Sequence, residues 1–325
     1  MLSLYGAPLC PAGHLPHLGG DWLSRLISPI CNIGEQALSV KLPISPRVGE
    51  MSGRTEGVPE SADVGKESLV TVDIRLHSTR PALDARPLQK RVGLIILATD
   101  HTTEPDFRRM VASDQIGVYV ARIPYANPTT PDNLRKMQPS LTSGAALILP
   151  DEPLDAICYS CTSASVVIGD AEIEAAVQAA KPGVPVVTPP MAGVRGLKAL
   201  GAATISILTP YTVETSRPMA AYFAAHGFEI ASFTCLGFED DREMARIAPA
   251  TLVDLAREAT DAQADALFVS CTALRAALAV VGMEEAIGRP VVTSNQATAW
   301  NCLRLCGDDE PRAEFGRLMT LPLGQ

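Results

Sequence analysis

Aromatic residues make up only 5% of this 325-residue chain. Its core must therefore rely on Ala, Val, Leu and Ile. No apolar run approaches the ~20 residues of a helical membrane span. The first 30 residues lack a basic segment leading into a continuous apolar one, so no secretory signal and no membrane partner are expected. Basic residues are outnumbered: 27 Lys and Arg against 36 Asp and Glu give a net charge of −9, which argues against nucleic acid and anionic membrane surfaces. An anionic metabolite remains open to such a chain where local amide dipoles supply the attraction. The eight cysteines lack the spacing of a disulfide framework, which predicts reduced thiols and a cytoplasmic protein.

An apolar fraction of 47% and a charged fraction of 19% describe a well-packed globular protein. The length fits about two domains, and a homo-oligomer is compatible with it. Residues 1–85 read as an irregular arm or leader, with Met51 as an alternative start. Within it the alternating run 69–76 predicts one edge strand.

The most informative stretch occurs twice. Leu154-Asp155-Ala156-Ile157-Cys158-Tyr159-Ser160-Cys161-Thr162-Ser163 is echoed by Ala264-Asp265-Ala266-Leu267-Phe268-Val269-Ser270-Cys271-Thr272-Ala273. Each is an apolar run ending in Ser-Cys-Thr, with a helix expected to follow. The surroundings repeat in the same order. The strand-like run 92–97 is matched by 203–208, and the interval from its last residue to the Ser-Cys-Thr cysteine is 64 residues in one copy and 63 in the other. Gly183-Val184-Pro185-Val186-Val187-Thr188 is matched by Gly288-Arg289-Pro290-Val291-Val292-Thr293. Further strands are expected at 117–123 and 185–188, and helices at 105–112, 131–149, 170–180 and 192–200. Short continuous apolar runs between helical segments predict an α/β fold: two similar doubly wound parallel-sheet domains related by a pseudo-twofold, with the active site between them. The expected bounds are 90–193 plus 297–325 for the first domain and 194–296 for the second.

In open α/β sheets the ligand sits beyond the carboxyl ends of the strands. Two facing units then bring Cys161 and Cys271 to opposite sides of one small ligand. A cysteine at a helix N-terminus is poised to ionise, so both thiols are expected to fall from the ordinary pKa of ~8.5 toward neutrality. The alternative is two buried structural thiols, against which stands the retention of Ser-Cys-Thr at both strand ends. Ser160, Thr162, Ser163, Ser270 and Thr272, with the following amides, form a polar cradle suited to a carboxylate. Cys158 makes a Cys-x-x-Cys with Cys161, which invites a redox or zinc reading. Its counterpart Phe268 marks the position as an apolar slot instead. His101, beside Asp100 at the tip of the first strand, either contacts ligand or is a plain surface histidine; Asp100 contacts ligand or shapes the turn. Tyr211 ends the equivalent strand, where it closes the pocket onto a carboxylate or packs a loop. Asp241, in the acidic turn 239–242, is a cap or a group that recognises an amino or amide group. His226 precedes a Gly cap, and Cys302 and Cys306 read as packing residues.

These residues resemble the Asp/Glu/hydantoin racemase superfamily over roughly 90–310, and within it the maleate isomerase and arylmalonate decarboxylase branch. The likeness is strongest to the EutA proteins of ectoine utilisation. It is carried by Thr99-Asp100-His101-Thr102-Thr103-Glu104-Pro105-Asp106-Phe107, by 158–165, by Leu208-Thr209-Pro210-Tyr211-Thr212 and by Val269-Ser270-Cys271-Thr272-Ala273. The resemblance implies no cofactor and no metal, paired catalytic cysteines at 161 and 271, and substrate contact by Tyr211. Maleate isomerases carry Asn where this chain has His101, and again near Asp241. Arylmalonate decarboxylases keep only the second cysteine, so Cys161 counts against decarboxylation. The expected activity is a racemase or epimerase acting on a small carboxylate. Cis–trans isomerisation, decarboxylation and non-catalytic metabolite binding are the alternatives.

Overall fold

The computed structural model describes residues 75–324. Residues 75–89 carry no helix or strand, and the edge strand expected at 69–76 lies almost wholly outside the described residues. Regular structure starts with the first continuous apolar run. The first half contains β1 (Lys90–Leu97), α1 (Thr103–Met110), β2 (Ile116–Ile123), α2 (Pro131–Arg135), α3 (Leu141–Leu147), β3 (Ala156–Tyr159), α4 (Thr162–Ile168), α5 (Asp170–Gln178), β4 (Val186–Val187) and α6 (Pro189–Ala199). The second contains β5 (Thr204–Tyr211), α7 (Val213–Ala225), β6 (Glu229–Phe238), α8 (Asp241–Met244), α9 (Pro249–Ala259), β7 (Ala266–Val269), α10 (Val280–Ile287), β8 (Val291–Thr293) and α11 (Ser294–Leu305). Two four-stranded sheets result, ordered β2-β1-β3-β4 and β6-β5-β7-β8. Every pairing in them is parallel. The internal duplication read in the sequence is thus repeated strand for strand.

Both faces of the central strands are covered, as expected of parallel sheets. In β1 the alternation divides the core. Val92, Leu94 and Ile96 join Ala156, Cys158 and the second half in one apolar cluster. Ile95 and Leu97 join Ile157, Tyr159, Leu134, Leu141 and Ile173 in another. Cys158 is fully buried on the first of these faces and pairs with Leu94, as Phe268 pairs with Ile207. Position 158 is therefore an apolar slot.

The halves exchange their last helices. α6 follows β4 but packs against β8, whereas α11 follows β8 and packs against β3, β4 and α6. A Cβ on Gly193 of α6 would stand 2.7 Å from Phe268 Cε2, so only glycine lets the helix lie this close to β7. α11 is buried from Ser294 to Arg304 and opens with a capping box between Thr293 and Gln296.

The repeated stretch also carries a structural device. Asp155 accepts a hydrogen bond from the Arg91 amide at 2.9 Å, and Asp265 accepts from the Ala203 and Thr204 amides at 2.9 and 2.8 Å. Each aspartate pins the start of β3 or β7 to the start of β1 or β5.

Two expectations change, and one strand is found that was not expected. The helix expected over 131–149 is broken into α2, a 3-10 turn at Gln138–Ser140 and α3, because Pro139 has no amide to continue the ladder. The second Ser-Cys-Thr is followed by a turn and a 3-10 helix (Arg275–Leu278), not directly by an α-helix, because Cys271 takes φ 100 and Leu274 is extended. β6, the longest strand, carries Ser, Thr and Gly among its apolar residues and lies half-exposed at a sheet edge.

Candidate active site

Both Ser-Cys-Thr segments leave their sheets in register. The Ser160 amide donates to Ile95 O at 2.9 Å and the Ser270 amide to Leu208 O at 2.8 Å, which carries each ladder one residue past the strand. The next residue is the cysteine. Cys161 is extended (φ −150, ψ 109) and stands at the N-cap of α4. Cys271 sits at φ 100, a left-handed conformation that is costly with a Cβ. The two thiols are 4% and 5% exposed, and Cys271 is near enough for its charge to disfavour ionisation of Cys161. The fold therefore gathers the two cysteines at one site.

The expected fall in thiol pKa is corrected here. Burial outweighs the local dipoles and pushes Cys161 up to about 12 and Cys271 up to about 11. Two further influences act on Cys161 in the same direction, the charges of Cys271 and Asp241. The seven-residue α4 offers little opposing field, and the second site has no α-helix at that point. Desolvation of a small anion exceeds what a few amides return. What does favour the thiolates is local. The Ala164 amide and the Ser163 hydroxyl act on Cys161; the Tyr211 hydroxyl and the Ala273 and Leu274 amides act on Cys271. The Ala273 amide reaches Cys271 Sγ at 3.3 Å. None of these leading influences is a cation, so an anion bound here is met by amides and hydroxyls.

Tyr211 closes the gap between the halves. It is 3% exposed, and its hydroxyl lies close enough to Cys271 and Ser163 for both to act on its ionisation. Ser163 Oγ lies 3.9 Å from Cys161 Sγ. A chain of polar groups therefore runs Cys161–Ser163–Tyr211–Cys271. Tyr125, beyond the end of β2, joins the same site: its ionisation is opposed by burial, Cys161, Asp241 and Cys271, while its hydroxyl bonds Thr129 Oγ1 at 2.7 Å. Sequence reading missed it, although its place just past a strand's carboxyl end was the available signal.

Asp241 is a buried tie, not the cap of its turn. Asp240 caps α8. Asp241 accepts hydrogen bonds from Thr99 Oγ1 and, at 2.8 Å, from Asn127 Nδ2, both of the first half. Its neighbour Met244 brings Sδ to 4.0 Å from Cys271 Sγ. Asp100 accepts from the Thr102 and Thr103 amides at 2.8 Å each and from Thr103 Oγ1 at 2.7 Å, so its carboxylate shapes the start of α1. Ser160 Oγ meets Thr103 Oγ1 at 3.1 Å. Thr162 Oγ1 donates to Ser294 Oγ at 2.8 Å, and Thr272 Oγ1 to Ser160 O at 3.3 Å. Ser270 Oγ is buried without a partner. His101 is exposed and lines a separate cavity of about 510 Å³ with Asp240, Arg242, Glu243, Ala245 and Arg246. The structure thus collects Cys161, Cys271, Ser163, Tyr211 and Asp241 at one point and uses Asp100, Ser160, Thr162 and Thr272 to bind the loops together. Among the described residues no group of three or more His, Cys, Asp or Glu is placed to hold a metal ion. No helix among them is long and apolar enough to cross a membrane.

Comparison with known proteins agrees with this architecture. The chain is similar to an arylmalonate decarboxylase of Bordetella bronchiseptica, 34% identical over 139 residues, which are 42% of this chain and 58% of that protein. It thus spans less than two thirds of that relative. Similarity to a maleate isomerase of Nocardia farcinica runs further, 27% identity over 226 residues, covering 66% of this chain and 89% of the relative. In three dimensions the fold matches a Nocardia farcinica maleate cis-trans isomerase that bears a covalently bound succinylcysteine intermediate. Its TM-score is 0.64 at 24% identity, over 71% of this chain and 98% of that one. The arylmalonate decarboxylase family profile matches residues 140–319, from α3 through both Ser-Cys-Thr segments to the C-terminal turns. That profile spans more than half of the chain and includes both strand-tip cysteines, so the chain belongs to the arylmalonate decarboxylase family.

Proposed function

We propose that the protein is a cofactor-independent racemase or epimerase of a small carboxylate, with Cys161 and Cys271 exchanging a proton at the α-carbon from opposite faces. The observation that carries this reading is the meeting of two cysteines from equivalent strand tips at one buried site. One thiolate removes the α-proton and the other thiol returns a proton to the opposite face. Charge that develops on the carboxylate is met by the amides that follow the two cysteines and by the hydroxyls of Tyr211 and Ser163. Burial keeps both thiols protonated at rest, which suits the donor and makes the base strong once formed. The resemblance to EutA proteins supports an N-acetylated diaminobutyrate from ectoine breakdown as substrate. Incubation of that compound in deuterated water is expected to give α-deuteration that Cys161→Ala and Cys271→Ala each abolish. Full exchange in both variants would sink the proposal.

Cis–trans isomerisation of maleate is the second reading. It is favoured by similarity to a maleate isomerase over most of that relative's length. There a cysteine adds to the double bond, the single bond rotates, and elimination regenerates the thiolate. Conversion of maleate to fumarate, followed by absorbance, without α-deuteration of the diamino acid would establish it. Release of carbon dioxide from a malonate in place of both would instead mark decarboxylation.

A further inference from the structure

We propose that Ser294 is a positioning residue that holds the Cys271 loop in its left-handed shape and ties it to the loop carrying Cys161. The purpose of that shape rests on the two-cysteine reading above; the tether is independent of it. Ser294 is the first residue of α11 and is 1% exposed. Its Oγ accepts from the Cys271 amide at 3.1 Å and from Thr162 Oγ1 at 2.8 Å. One oxygen therefore anchors the residue that bears the second thiol and the residue that follows the first.

The shape at Cys271 needs such an anchor. Its φ of 100 is strained for a residue with a Cβ, and it persists only if neighbours enforce it. Without Ser294 Oγ the Cys271 amide would be buried and unpaired, a penalty of the same order as the strain. With it, the chain turns so that the Ala273 amide meets Sγ at 3.3 Å and the Leu274 amide also favours the thiolate. The anchor is itself fixed. Thr293 and Gln296 form the capping box on either side of Ser294 and Asn295, and Asn295 Nδ2 donates to Thr272 O and Asp106 Oδ2, both at 2.9 Å.

The duplication provides an internal control. Alignment of Gly183–Thr188 with Gly288–Thr293 places Pro189 opposite Ser294. The first half has no hydroxyl at that place, its Cys161 amide turns to Tyr159 O at 3.3 Å, and Cys161 keeps ordinary extended backbone. Hydroxyl tether and left-handed cysteine occur together in one half and are both missing from the other.

The test is alkylation of Cys271 by iodoacetamide in the full-length folded chain, followed peptide by peptide from pH 7 to 9.5. Ser294→Ala is expected to slow Cys271 alkylation about tenfold across this range, equivalent to about one unit of thiol pKa. Ser294→Thr keeps the hydroxyl and is expected to stay near the wild-type profile; Ser294→Val, matched to it in volume, is expected to follow the alanine variant. A wild-type profile in the alanine and valine variants, or faster alkylation, overturns the proposal, whatever happens to Tm. Failure of both hydroxyl-free variants to fold assigns Ser294 a structural role and overturns it as well. Because no turnover is measured, these outcomes stand apart from success or failure of the racemase reading.

Discussion

The two halves share a sheet order, a strand-tip cysteine and a pinning aspartate, yet they hold their cysteines differently. Cys161 leads straight into α4 with ordinary backbone, while Cys271 is bent into the left-handed region and leads into a turn. Cys271 gathers Tyr211, Ala273 and Leu274 as donors, whereas Cys161 has Ala164 and Ser163. Duplication alone would give two equivalent groups. A proton exchange between opposite faces needs one acid and one base at any instant, and unequal donor sets separate the two roles. The asymmetry is carried by local backbone, since both thiols are equally buried.

The harshest way to break the comparison is to remove one cysteine at a time. Cys161→Ala and Cys271→Ala are each expected to lower turnover by at least about 10²–10⁴-fold, the usual contribution of a positioned acid or base, with isotope exchange as the readout. An unequal pair of results, with exchange surviving in one variant, would show that only one face is worked.

Tyr211→Phe deletes the hydroxyl between Cys271 and Ser163. A loss of about 10–10³-fold in kcat, with a smaller change in KM, is expected for a donor of this kind. Alkylation of Cys271 should slow more than that of Cys161, because the hydroxyl is a leading influence that favours the Cys271 thiolate and is not one for Cys161.

The pH profile follows from the raised thiols. The proposed proton exchange requires one thiolate and one thiol, so the rate is expected to climb from pH 7 toward about 11, where Cys271 ionises, and to fall as Cys161 follows near 12. The effect on stability has a defined sign. Both thiols stay protonated in the folded chain above the ordinary thiol pKa of ~8.5, so the unfolded chain binds fewer protons there and stability is lost as pH rises through that value. Denaturant midpoints of the double Cys→Ser variant should decline less between pH 8 and 10 than those of the wild type. Equal slopes would place the thiols in a wetter site.

Asp241→Asn weakens the tie to Thr99 and Asn127 and is expected to cost about 1–3 kcal/mol, the range for a disturbed buried charge-assisted bond, read as a lower denaturant midpoint. The mildest expectation concerns the Cys-x-x-Cys. Cys158→Ala should leave isotope exchange within about twofold of wild type and cost only about 1 kcal/mol for a small buried void. A loss of exchange would reinstate the motif as a chemical pair.

The sheets were legible because parallel strands covered on both faces read as short apolar runs, and because the chain states its pattern twice. Tyr211 was legible as the end of a strand matched to another. Tyr125 and Ser294 were not, since neither belongs to a repeated motif: Tyr125 follows an ordinary strand and Ser294 replaces a proline in the copy. The break in the 131–149 helix was signalled by Pro139 and overridden by the length of the pattern around it.

Local sequence by itself determined that two α/β units exist, that a cysteine ends one strand in each, and that position 158 is a slot for an apolar side chain. Those features depend on periodicity and on residues near in the chain. Only the tertiary structure decided that the thiols are raised and not lowered, that one of them is left-handed, and that Asp241, Ser294 and Asn295 bind the halves together. The reason is physical: desolvation and cross-half hydrogen bonds depend on what surrounds a group in space, and their partners here lie as far apart in sequence as Thr162 and Ser294.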